Sequence, residues 1–212
     1  MNTCRFCSIA NCYKSQKTEN AKIAESDNYF AISSIGALVE GWVLIVPKKH
    51  CCSMKNIYSD EEFVSFTNKM IKALTACYGS VIAFEHGPNR EGSDTSCGTD
   101  HAHIHLVPYR SLSAKLNSMD LEWKVCRASQ VDTLVGENEY LFYCEPGETW
   151  SDPNSRVHIL STPISQFFRR VIAEDRGVYD RFNYKTNPDI SLTLKTIEKV
   201  QKYFSVYSGA EK

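Results

Sequence analysis

Three histidines at alternate positions, His101, His103 and His105 in HAHIHLV, are the residues of this chain best suited to chemistry. Only six histidines occur in 212 residues, so three at this spacing with apolar residues between them form a specific signal. A β-strand repeats every two residues, so the three imidazoles are expected on one face, with Ala102, Ile104 and Leu106 turned to the core. Charged imidazoles held side by side repel, which suits such a row to metal ligation or catalysis. The second feature is Cys4-x-x-Cys7, followed much later by His50. One C-x-x-C is a weak signal alone. Zinc takes four nitrogen or sulfur ligands, often two of each, and the chain offers two thiols plus histidines beyond them. A redox role would need the pair at a helix N-terminus in a thioredoxin-like pattern, which is absent.

The elements that must position these residues are legible in part. Short apolar or β-branched stretches at 21–25, 29–34 and 42–46 predict antiparallel strands. Ser59 and Glu62 form a capping-box pattern, and Phe63, Phe66, Met70, Ile71, Leu74 and Tyr78 recur at helical spacing up to Gly79. Strands follow at 80–85 and 101–107, separated by a Gly/Ser/Asp/Thr-rich loop at 87–100, and Pro108 is expected to end the second. Residues 109–137 are polar and weakly periodic, a connection expected to be partly helical. Strands at 140–144 and 156–160 and helices at about 164–175 and 191–206 complete the chain.

Composition bounds the reading. A chain 42% hydrophobic and 23% charged, with net charge −1, is a globular protein and not a uniformly basic nucleic-acid binder. Its longest apolar run, Trp42–Pro47, is too short for a membrane span, and MNTCRFCSIA lacks the pattern of a secretory signal. Nine cysteines, an odd number, point to a reducing compartment, here the cytoplasm, with thiols free or given to a metal.

HAHIHLV matches the histidine-triad (HIT) pattern, His-φ-His-φ-His-φ-φ, at every position. CRFC and GWVLIVPKKH resemble the CxFC and GHxLVIPKxH segments of zinc-containing bacterial HIT proteins, so the resemblance covers about residues 4–108. It implies an α+β fold: a HIT-like antiparallel sheet with flanking helices at 1–110, plus a C-terminal α/β extension at 111–212. It also implies nucleotidyl transfer. His103 would attack the α-phosphorus of a nucleotide, a role suited to a neutral imidazole with one nitrogen held by a backbone carbonyl. His105 would place or protonate the leaving oxygen. His101 would turn aside to hold one structural zinc with Cys4, Cys7 and His50.

The chain departs from the pattern at the substrate. Trp42 replaces the histidine of GHxLVIP. Ser34 stands where an acidic residue commonly holds the ribose, and Glu85 where an Asn or Gln lies close to the phosphates. Ser96-Cys97-Gly98 replaces the Gly-Gln-Ser that often precedes the triad, making Ser96 and Gly98 candidate nucleotide contacts. The extension is expected to act as a degenerate partner half or a cap, with Gln166, Arg169 or Arg170 strengthening the weak anchors through bidentate phosphate binding. His86 and His158 read as structural, and Cys97 as a space-filler. The expected function is a nucleotidyl hydrolase acting on a phosphoanhydride or phosphoramidate. The alternatives are a nucleotidyltransferase or phosphorylase with phosphate or a sugar phosphate as acceptor, and a non-catalytic nucleotide-binding module. The expected partners are a nucleotide or dinucleotide and, in a homodimer, a second copy; membrane and nucleic acid are not expected.

Overall fold

The computed structural model describes residues 4–12 and 18–207. Its helices are α1 (Arg5–Ala10), α2 (Glu61–Tyr78), α3 (Ser113–Asn117), α4 (Val131–Val135), α5 (Phe167–Asp175) and α6 (Ile190–Tyr207). Its strands are β1 (Lys22–Glu25), β2 (Tyr29–Ser33), β3 (Val43–Pro47), β4 (Val81–Gly87), β5 (Ile104–Pro108), β6 (Lys124–Arg127), β7 (Tyr140–Cys144) and β8 (Asn154–Ile159). All eight strands form one sheet in the order β1-β2-β3-β5-β4-β7-β8-β6, with every pairing antiparallel. This is the expected α+β architecture, an antiparallel sheet with flanking helices. No helix among the described residues is long and apolar enough to cross a membrane.

β7 pairs along β4 from Ala83↔Cys144 to Gly87↔Tyr140, so the sheet runs through both halves of the chain. Helices cover both of its faces. On one face α2 and α6 pack over Ala31, Ile45, Ile104 and Phe142. On the other, α1, α3 and α5 contribute Phe6, Leu116 and Phe168 to a core with Phe30, Leu44, Phe84 and Tyr143. Covered on both sides, β2, β3, β4 and β7 are buried at every position and read as near-continuous apolar runs.

α2 buries the expected stripe from Phe63 to Leu74, but its N-cap is Asp60, which accepts from the Phe63 N–H at 2.8 Å. Glu62, expected to close a capping box, instead accepts from Ser26 and the backbone of Asn28, tying α2 to the β1–β2 turn. β6 lies within residues 109–137, where the sequence pattern predicts a partly helical connection. It is an edge strand with Val125 81% exposed, so it carries no apolar run to betray it.

Candidate active site and metal centre

β5 places the triad. It starts at Ile104, so His101 and His103 lie on the extended approach to the strand and His105 within it, opposite Leu44 of β3 and Phe84 of β4. The His103 Nδ1 lies 2.8 Å from the His101 carbonyl oxygen. A carbonyl only accepts, so Nδ1 carries the proton and Nε2 keeps its lone pair. Burial, with the neighbouring His101 and Arg5, outweighs that hydrogen bond and pushes the His103 pKa down to about 4, leaving the ring neutral near pH 7. Phe6 of α1 stands edge-on to His103, ring centroids 5.3 Å apart, and to His101 at 5.6 Å.

His105 is buried and lies flat on Phe84, centroids 4.5 Å apart. Its Nδ1 accepts from the Trp42 indole N–H at 2.8 Å. The residue that replaces the expected histidine of GHxLVIP is therefore bonded directly to the triad. Burial, with His103, His86 and Arg169 nearby, holds the His105 pKa well below the usual histidine range.

His86, which the sequence reads as structural, is a third imidazole in the cleft. Two residues after Phe84 on β4, it shares that residue's face and packs against Phe168 of α5, centroids 5.3 Å apart. Its Nε2 is buried without a hydrogen-bond partner, and burial pushes its pKa down to about 3. The signal available in the sequence was its spacing from Phe84.

His86, His103 and His105 open on a cavity of about 50 Å³ whose wall also includes Ser34, Ser96 and Arg169. Segment 179–189 closes over it. The Tyr184 hydroxyl donates to the Cys97 carbonyl at 2.9 Å, and the Gly36 N–H donates to the Pro188 carbonyl. Gly36 has φ +64°, and a Cβ there would meet the Asn187 carbonyl oxygen at 2.6 Å, so glycine permits both the turn and the approach. Gly98, at φ +82°, likewise leaves room for the Lys185 ammonium, which a Cβ would meet at 2.5 Å.

The proposed substrate contacts divide. Ser34 and Ser96 line the cavity, and the Ser96 hydroxyl also accepts from the Gly98 N–H at 3.3 Å. Arg169 is buried at the cavity wall, its guanidinium 4.9 Å from the Trp42 ring and 5.6 Å from the Tyr184 ring. It donates through Nε to Phe182 O at 2.8 Å and through Nη2 to Gly36 O. Gln166 caps α5, its N–H donating to the Cys97 sulfur at 3.1 Å. Arg170 does not reach the site: one residue further round the helix it is exposed, stacked on Phe182. Glu85 is likewise no phosphate contact. Strand alternation turns it to the opposite face, where its buried carboxylate accepts from Met54 N at 2.7 Å and from the hydroxyls of Tyr140 (2.6 Å) and Tyr58.

His101 turns away from the cleft towards Cys4, Cys7 and His50. The ligand atoms of Cys4, Cys7, His50 and His101 all lie within 4.8 Å of one another, a group that could hold a metal ion. Their environment fits that role. The His101 Nε2 meets the Pro47 carbonyl at 2.8 Å and the His50 Nε2 meets the Glu91 carboxylate at 3.1 Å. Those partners hold the protons on Nε2 and leave both Nδ1 lone pairs for a metal, the usual outer-shell arrangement of metal-bound histidine. No other such group of three or more occurs among the described residues.

The chain is similar to several known proteins. The model of the family described as "Protein similar to CwfJ C-terminal" matches residues 1–122 of the 212. An uncharacterized HIT-like protein of Borreliella burgdorferi is 26% identical over 110 residues, covering 51% of this chain and 76% of that one. Among solved structures, similarity is found to a HIT-like protein involved in cell-cycle regulation from Bartonella henselae, with unknown ligand (20% identity, 42% of this chain and 70% of that one, TM-score 0.33). It is also found to a hypothetical histidine triad nucleotide-binding protein from Sulfolobus tokodaii (14% identity, 96% and 98% covered, TM-score 0.38). With the family model spanning more than half of its length, the chain belongs to the CwfJ C-terminal-like family of the HIT-like superfamily.

Proposed function

We propose that the protein is a nucleotidyl hydrolase that works through a covalent intermediate on His103. The observation that carries this reading is the 2.8 Å contact between His103 Nδ1 and the His101 carbonyl, which leaves Nε2 as a neutral, aimed nucleophile. Attack by Nε2 on the α-phosphorus forms a P–N bond and breaks the bond to the leaving oxygen. The carbonyl then stabilises the positive charge on the substituted ring. Water splits the P–N bond in the second step, releasing a nucleoside monophosphate, neutral His103 and one proton to solvent. Arg169, Arg5 and the His105 N–H supply positive potential and donors around the phosphoryl oxygens.

The cavity of about 50 Å³ suits a phosphoryl group. Segment 179–189 must therefore swing from Gly36 and Cys97 to admit the nucleoside, as active-site lids do. Residues 111–212 act in this reading as a built-in partner half and cap, supported by the β4–β7 pairing and by Arg169. The metal, proposed to be one structural zinc per chain, would be held by Cys4, Cys7, His50 and His101 and would cross-link the start of α1 to the approach to β5. So held, it would fix α1 and, with it, Phe6 against His103.

The test is mass spectrometry of enzyme acid-quenched with nucleoside mono-, di- and dinucleoside polyphosphates. A nucleotidyl adduct on His103, absent from His103→Ala together with roughly 10²-fold or more of the activity, is expected. A His103→Ala protein with near-wild-type turnover refutes the mechanism.

A further inference from the structure

We propose that Trp42 fixes His105 as a neutral hydrogen-bond donor that cannot serve as a general acid, and that this selects phosphoanhydrides over phosphoramidates. The inference rests on the hydrolase reading and narrows its substrate class.

An indole N–H is a donor only. At 2.8 Å from Trp42 Nε1, the His105 Nδ1 must be the acceptor, which assigns the ring's single proton to Nε2. Protonating His105 would put a second N–H on Nδ1, facing the indole N–H across a distance that suits only a donor–acceptor pair. Burial and the cationic or basic neighbours of the ring oppose that charge. Phe84 covers one face, His86 and His103 are neighbouring imidazoles, and Arg169 sits over the Trp42 ring. A carboxylate could favour an imidazolium, but the nearby Glu85 faces the other side of the sheet. Without becoming imidazolium, His105 could give a proton away only by becoming an imidazolate, which neutral water does not support. It can still donate a hydrogen bond through Nε2–H to an oxygen that gains charge.

The consequence falls on the leaving group. When His103 displaces a phosphate from a phosphoanhydride, the departing oxygen leaves as a stable phosphate anion. The P–O bond breaks, its electron pair stays on the phosphate, and no proton moves. A phosphoramidate must release an amine, which cannot depart as an amide anion and needs a proton in the same step. A histidine in place of Trp42 can share its proton with His105 in either direction, which restores the route to an acid. Trp42 is thus a positioning residue that decides specificity without touching substrate.

The experiment compares kcat/KM for wild type, Trp42→His and Trp42→Phe on three substrate sets. These are dinucleoside polyphosphates, nucleoside 5′-phosphate esters of p-nitrophenol and phenol, and a nucleoside 5′-phosphoramidate of an alkyl amine. In parallel, ¹⁵N NMR reads the His105 tautomer. Wild type is expected to cleave anhydrides and the p-nitrophenyl ester, with the phenyl ester and phosphoramidate slower by roughly 10²-fold or more, the usual weight of a missing general acid. Trp42→His should flatten this leaving-group dependence and raise phosphoramidate cleavage at least tenfold. Wild-type His105 should show an Nε2–H tautomer through neutral pH. Efficient wild-type phosphoramidate cleavage, a flat leaving-group series, or an imidazolium signal for His105 overturns the proposal. The wild-type series and the NMR stand even if a Trp42 variant fails to fold. Turnover of no substrate, with the Nε2–H tautomer intact, overturns the hydrolase reading and not the proton assignment.

Discussion

Glu85 offers a prediction that separates the cleft from the sheet's other face. Its carboxylate is buried and accepts from Met54 N, Tyr58 and Tyr140, yet burial outweighs those bonds and raises its pKa from 4.5 to about 7. In the folded state it therefore holds a proton through a pH range where the unfolded chain has lost it. The folded state binds the extra proton, so stability is full below about pH 4.5, declines as pH rises towards about 7, and is level above. A displacement of two to three pKa units corresponds to about 3 kcal/mol. Glu85→Gln is a near-isosteric side chain that never ionises. The wild-type stability minus that of Glu85→Gln should thus fall by about 3 kcal/mol across this window, measured by urea denaturation at each pH. Subtracting the variant removes the titration of every other group. KM for a nucleotide substrate should stay within about twofold, because the side chain faces away from the cavity. A stability difference that is constant or rises with pH refutes the protonated-carboxyl reasoning. A large KM change refutes the placement.

Three further outcomes follow from the site. Purified protein should contain close to one equivalent of zinc, and Cys4→Ser with Cys7→Ser should lose the metal, lower Tm and, through Phe6, lower activity. Retained stability in the metal-free double variant counts against a structural metal. Arg169→Ala should raise KM roughly tenfold or more by removing the buried cation, whereas Arg170→Ala, exposed on Phe182, should stay within about twofold. His86→Phe should raise stability by about 1 kcal/mol, because an unpartnered buried nitrogen is replaced by a ring suited to Phe84 and Phe168, while kcat/KM falls at least tenfold. Unchanged turnover in that variant assigns His86 a purely structural place.

Residue type and short-range periodicity carried what the sequence determined by itself. Alternate histidines before a proline specify an extended segment that runs into a strand, although only His105 lies within β5, and the apolar stripe from Phe63 to Leu74 specifies a helix that needs a sheet to cover. The motifs then name a HIT-like α+β fold and the four metal-group residues, which the structure brings within 4.8 Å of one another although they span positions 4 to 101. Tertiary structure decided everything that depends on which way a side chain faces once strands are in register. Glu85 and His86 are neighbours in sequence, but the pleat sends the first among tyrosines on the far face and the second into the cleft. Arg169 and Arg170 are parted by a helical step in the same way. Trp42 read as a lost histidine until the β3–β5 pairing set its indole against His105. Local patterns cannot encode such contacts, because a hydrogen bond across 63 residues of chain exists only when the sheet between its partners has closed.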